Sequence, residues 1–208
     1  MRHCDVLVNI CLLLTLAACA PDADPDGESS APPAYKVGDR LPGKGDVQAA
    51  SSYREITWDE LIPPGWDVAE IFAGLNLDNF QDADPRAEAA LQKMRQAWDN
   101  APVNPKMQGQ AIRIPGFVVP LDADGSALRE FLLVPYFGGC IHVPPPPANQ
   151  IIHVVAQPPL ADVQAMDAIW ISGTLEAART DSQMGSAGYT LEARKVEPYQ
   201  WGETGKGY

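Results

Sequence analysis

The sequence predicts a mainly β domain of the α+β kind, built as a small five-stranded barrel or an open sandwich, with one amphipathic helix in front of it and a disordered tether before that. Three observations predict it. Beyond residue 109 the apolar side chains come in five short runs rich in β-branched and aromatic residues, the composition of strands. Twenty Pro and 17 Gly in 208 residues interrupt long helices, which excludes a helical bundle or a coiled coil. One stretch, residues 85–98, carries the apolar period of an amphipathic helix.

In chain order, the first element is a secretion signal over residues 1–18. Arg2 gives a small positive start, Val6 to Leu16 is mostly apolar, and Leu16-Ala17-Ala18 places small residues before Cys19. An apolar run this short does not span a bilayer as a permanent helix. Leu-Ala-Ala-Cys resembles the bacterial lipobox, which implies cleavage before Cys19, diacylglycerol on its sulfur and a further acyl chain on the new amine. Several chains, each worth ~0.8 kcal/mol per buried methylene, make a lasting membrane anchor where one would not. Ala20 follows the cysteine instead of Asp, which by analogy with lipoprotein sorting implies the periplasmic face of the outer membrane. Cys4 and Cys11 leave with the signal and Cys19 is blocked by lipid. Cys140 is then the one free thiol, so the fold has no internal disulfide to hold it.

Residues 19–50 form the lipidated tether. Pro, Asp, Gly, Ser and Ala dominate them, with little to bury, and such composition leaves a chain disordered. Residues 51–208 are the single globular domain, with a helical lead-in over 54–104 and the barrel-like part over 105–200. In the lead-in, Trp58, Leu61, Ile62, Trp66 and Phe72 are expected to pack on the core. Asp84 is the expected N-cap of the helix and Pro85 its first residue, and Ala87, Leu91, Met94 and Trp98 make a stripe read as core. The five strands are QAIRIPGFVVPL, EFLLVPY, QIIHVVA, AIWISGTL and GYTLEARKV. In the last, Tyr189, Leu191 and Ala193 alternate with Thr190, Glu192 and Arg194, as in a strand with one buried face. Pro115 and Pro135 point to edges or bulges. Gly116 and Gly173 would ease the bends of closure. PPLADVQAM, between the third and fourth strands, is expected to make a short helix at the place where an oligonucleotide/oligosaccharide-binding (OB) barrel has one, and this pattern suggests an OB-like barrel.

Charge narrows the function. Fifteen Lys and Arg face 27 Asp and Glu, a net charge of -12, which would repel a phosphate backbone, so nucleic acid is excluded as a partner. The chemistry-bearing residues concentrate in Phe131 to Gln150, with His153 just beyond. His142 and His153 are the two histidines left after removal of the signal, and both lie near Cys140. In an extended segment Cys140 and His142 point to one side, and a Cys-His-His set with an open position suits Zn or Cu. Two other readings compete: Cys140 as a small buried hydrophobe with core or turn histidines, and a reactive thiol whose pKa a histidine lowers. Pro144, Pro145, Pro146 and Pro147 form either a rigid loop wall or an exposed polyproline ligand. Gly138-Gly139 before them and Asn149-Gln150 after them favour a defined loop that places Cys140 and His142. No phosphate-binding glycine loop, Ser-His-Asp arrangement or His-Glu-x-x-His helix is present.

Three segments carry a family resemblance: Ile56 to Pro63, Pro115 to Leu121 and above all Glu130 to Gln150, which includes Tyr136, Phe137, Gly138, Gly139, Cys140, His142, the four prolines, Asn149 and Gln150. They resemble the proteobacterial family called domain of unknown function 3299 (DUF3299) over roughly residues 54–200. The resemblance implies a secreted or lipid-anchored envelope protein, associated with ABC-transporter components and in some cases with zinc response. It attaches no activity to its signature positions. The expected function is a non-enzymatic binding or accessory lipoprotein, with a thiol-dependent enzyme using Cys140, or a metal-free scaffold for a transporter, as alternatives.

Overall fold

Five strands close on one another in a computed structural model that describes residues 34–41, 52–67, 85–122 and 127–200. The signal peptide, Cys19, the tether at residues 20–33 and 42–50, Phe72 and the expected N-cap Asp84 fall outside these residues. The barrel strands are β2 (Gln110–Pro120), β3 (Leu128–Val134), β4 (Ile152–Leu160), β5 (Ala168–Glu176) and β8 (Tyr189–Pro198). They follow the order β2-β3-β4-β8-β5, and β5 pairs back onto β2. All these pairings are antiparallel except β4 with β8, which is parallel, with Ile152 opposite Tyr189 and Ala156 opposite Ala193. A small OB-like barrel has this closed form, and the open sandwich is set aside. A two-residue strand, β1 (Arg54–Glu55), adds to β2 in parallel. A small hairpin, β6 (Thr180–Ser182) with β7 (Gly185–Ala187), interrupts the connection between β5 and β8. The sequence reading had no such hairpin, because its strands are too short and too polar to show a period.

Alternation along each strand divides the apolar residues between two cores. Ile112, Ile114, Val118, Phe131, Leu133, Ile152, Val154, Ile169, Ile171, Leu175, Tyr189 and Leu191 fill the barrel. Phe117, Val119, Leu132 and Val134, the intervening residues, form a second cluster on the outer face with Leu41, Ile151, Met166 and Ala187. The two predicted glycines leave needed space inside. A Cβ on Gly116 would come 2.6 Å from Leu133 Cγ, and one on Gly173 would come within 2.3 Å of the Glu192 carbonyl oxygen. Gly173 also faces the bulge in β8 against β5, where the partners step from Ser172↔Lys195 to Gly173↔Ala193 and Arg194 is left over. Pro115 marks a seam at which the free edge of β2 passes from β1 to β3, and Pro135 follows the end of β3.

Three expectations are corrected. Residues 158–166 form no helix: β4 runs on to Leu160, and Asp162 and Met166 take left-handed conformations (φ 63° and 67°) that break a right-handed turn. Residues 34–41, assigned to the tether, pack on the barrel. Tyr35 meets the ring of Phe117 edge-on at 5.1 Å and stacks on Phe137 at 5.8 Å, and Leu41 is buried. Helix α1 (Pro85–Asp99) has nearly the predicted bounds, but its stripe is not core. Ala90 is its buried residue, Met94 and Trp98 are half-buried, and Leu91 is 44% exposed. The helix lies against the β6–β7 hairpin and the proline loop, so its apolar face borders a groove of roughly 530 Å³. In the lead-in, Trp58 and Leu61 are buried as expected, and Ile62 and Trp66 are partly so.

Candidate functional site

The segment from Pro135 to Ile151 joins β3 to β4 and is held by backbone geometry along its whole length. Arg40 and Tyr136 form an antiparallel bridge, and the Arg40 guanidinium lies 5.8 Å from the Tyr136 ring centre. The Tyr136 hydroxyl donates to the Pro144 carbonyl at 3.2 Å. Phe137 anchors the turn between Tyr35 and Phe117. Gly138, at φ 86°, turns the chain so tightly that its carbonyl accepts from the N–H groups of Ile141, His142 and Val143. Gly139 packs against the Tyr136 ring, where a Cβ would come 3.1 Å from Cε2.

That turn undoes the premise of a metal site. Cys140 takes a left-handed conformation (φ 66°), so residues 140–142 are not extended and the two side chains do not share a face. Cys140 packs at the edge of the outer apolar cluster, while His142 is exposed. His153 is on β4, 8% exposed, with Nε2 3.3 Å from Glu130 Oε2 and Nδ1 buried without a hydrogen-bond partner among the described residues. Among the described residues no group of three His, Cys, Asp or Glu side chains could hold a metal ion, so the expected convergence of Cys140, His142 and His153 is not seen. Burial pushes the Cys140 thiol up to about 12. A nucleophilic cysteine needs the opposite shift.

Beyond the turn, the prolines serve as a wall. Pro146 is buried, Pro144 is exposed, and the Pro145 carbonyl accepts from Trp98 Nε1 at 2.8 Å. With α1 they border the groove, which Leu91, Met94, Arg95, Trp98, Pro144 and Pro145 line. The end of the loop is bolted down by amides. Asn149 Nδ2 donates to the Pro102 carbonyl at 2.9 Å and Gln150 Nε2 to the Trp58 carbonyl at 2.8 Å. Neighbouring bonds extend this network, which the sequence reading missed. Trp58 Nε1 donates to the Pro115 carbonyl at 2.7 Å, and Asn104 Nδ2 to the Glu60 carbonyl at 2.8 Å. The Tyr189 hydroxyl donates to the Leu61 carbonyl at 2.7 Å and accepts from the Asn104 N–H at 2.6 Å. A usable signal was there, since Tyr189 was placed on a buried face and a buried phenol requires a polar partner.

Tyr189→Phe should therefore lower stability by about 1–2 kcal/mol in urea unfolding. The value is at the lower end because the Asn104 N–H also reaches the Leu61 carbonyl at 3.3 Å. An unchanged midpoint would mean that the network does not hold the lead-in to the barrel.

A family model described as a protein of unknown function, DUF3299, matches residues 58–198. The chain belongs to the DUF3299 family. A crystal structure of a DUF3299 family protein from Pseudomonas aeruginosa PAO1 is 34% identical, with a TM-score of 0.55 over 73% of this chain and 99% of that one. An OBody bound to hen egg-white lysozyme gives a far weaker likeness, 16% identical with a TM-score of 0.26 over 44% of this chain and 83% of that one. No curated protein matches. The family match spans the barrel, the proline loop and the network that bolts them together.

Proposed function

We propose that this DUF3299 protein is an envelope lipoprotein, acylated at Cys19 and held at the periplasmic face of the outer membrane, whose barrel serves as a non-enzymatic accessory or binding module. The observation that carries the non-enzymatic part is the condition of the signature loop. Its thiol is kept protonated by burial, and the amides of Asn149 and Gln150 are engaged with backbone carbonyls. A loop built in this way supplies shape and rigidity, not a nucleophile. The lipobox pattern at Leu16 to Cys19 supports the anchor.

Complementation tests the reading as a whole. In a strain lacking the gene, Cys140→Ala should restore the wild-type envelope behaviour, and Cys19→Ser should not. Failure of a folded Cys140→Ala protein would transfer the reading to a thiol enzyme. The anchor has its own test. Cys19→Ser should abolish labelling by radioactive fatty acid and release the protein into the soluble fraction, because the sulfur is the acylation site. Labelling that persists in the variant would refute the anchor.

A further inference from the structure

Two exposed aliphatic side chains share one tip of the domain, at the place where the described chain begins. Val37 is 53% exposed and Ile141 is 40% exposed, and Leu91 on α1 is the other large hydrophobic left in water among the described residues. Backbone bonds lock the tip together. The Gly38 N–H donates to the Phe137 carbonyl and the Phe137 N–H to the Asp39 carbonyl, both at 2.9 Å, so residues 37–39 run beside 137–138. Val37 Cγ1 lies 3.2 Å from the position of a Cβ on Gly138, whose carbonyl accepts the Ile141 N–H. Lys36, Arg40 and His142 are exposed on the same segments. Asp39 is the acid among residues 34–41, its carboxylate already accepting the Lys36 N–H at 2.7 Å, and residues 135–143 contain none. In a chain of net charge -12, residues 34–41 and 135–143 together carry Lys36 and Arg40 against Asp39, a formal charge of +1.

We infer that this tip rests on the lipid surface to which the chain is tied, with Val37 and Ile141 entering the headgroup boundary and Lys36 and Arg40 facing lipid phosphates. The inference rests on the acylation of Cys19 proposed above. Chain length favours a lipid surface as the occupant. Residues 20–33 alone separate Cys19 from the packed segment, and fourteen residues reach at most ~50 Å. Tethering within that reach makes the contact intramolecular, so it can be weaker than one that would have to hold a free domain. The chemistry fits as well, since apolar side chains flanked by cations are what an interfacial segment presents to phospholipid.

The test uses the full acylated protein on vesicles of phosphatidylethanolamine and phosphatidylglycerol. An environment-sensitive fluorophore is attached at Ile141→Cys in a Cys140→Ala background, and for comparison at Asp122→Cys, near the opposite end of β3. The label at 141 should shift to the blue and be quenched by brominated acyl chains, and the label at 122 should not. Adding Val37→Asp should reduce the quenching severalfold. In the unlabelled wild type, amide exchange over residues 36–41 and 138–143 should slow on vesicles relative to detergent, which guards against a labelled variant that folds poorly. Protein that floats with the vesicles while its label at 141 remains in water would overturn the inference and leave the anchor standing. Protein that is not acylated and does not float would remove the anchor and the inference with it. A label buried only when outer-membrane proteins are added would assign the tip to a protein partner and overturn the lipid reading.

Discussion

Iodoacetamide should modify Cys140 about fiftyfold more slowly at pH 7 in the native protein than in the urea-unfolded chain. The thiol rises from 9.0 to about 12 by desolvation, which lowers the thiolate population about a thousandfold. A more basic thiolate is intrinsically more nucleophilic. With a Brønsted slope of about 0.4–0.5 that recovers roughly twentyfold, so the loss of thiolate wins. Steric cover from the outer cluster slows the reaction further. The direction with pH is fixed by the same shift: the native rate should keep rising through pH 10 and 11, where the unfolded rate has levelled off. Mass mapping of the peptide that contains Cys140 reads both rates. Fast native alkylation at pH 7 with a plateau below pH 8 would identify an activated nucleophile, and with it an enzyme.

Gly173→Val should prevent the barrel from closing. Even the Cβ would stand 2.3 Å from the Glu192 carbonyl oxygen, which is main chain inside a paired strand and has no rotamer through which to escape. Ordinary overpacking costs about 1–3 kcal/mol, and a clash with backbone exceeds that range in a fold whose total stability is about 5–15 kcal/mol. The expected result is protein that is largely unfolded or aggregated at 37 °C. Gly116→Ala supplies the internal comparison. Its Cβ meets Leu133 and Trp58 side chains at 2.6 and 3.0 Å, which can yield, so its cost should stay near 1–3 kcal/mol and the protein should fold. Equal urea midpoints for the two variants would mean that the β5–β8 bulge tolerates a side chain.

What the sequence made legible follows from range. The strands were readable because β-branched residues recur within a few positions, and so was the alternation of Tyr189, Leu191 and Ala193, which are buried, with Thr190 half-buried and Glu192 and Arg194 exposed between and after them. The helix was readable from a Pro start and a 3.6-residue stripe, but a stripe says that a face is apolar, not what covers it. Leu91 and Trp98 line a groove because the proline loop stands beside them, and that depends on residues some fifty positions away in the chain. Residues 34–41 look like linker by composition, and the one aromatic that ties them down, Tyr35, finds its partners at Phe117 and Phe137. The expected convergence of Cys140, His142 and His153 is not seen among the described residues, and the reason is local geometry. It assumed an extended Cys140 to His142, while Gly138 imposes a turn, and it overlooked that the strand register sets His153 opposite Leu132, from where its ring reaches diagonally to the Glu130 carboxylate.

The parallel seam between β4 and β8 carries a consequence for the order in which the molecule can be made. A chain that emerges N-terminus first presents β2, β3 and β4 as a meander, then β5, whose proper neighbours are β2 and β8. Until residues 189–198 arrive, β4 and β5 each keep one open edge, and open edges of apolar strands recruit other chains. The final barrel strand is thus the keystone, and no N-terminal fragment that stops before Tyr189 has a finished surface. A protein with this topology needs protection from its own neighbours until β8 has been made, and stopping the chain before Tyr189 should yield aggregates, not a smaller folded domain.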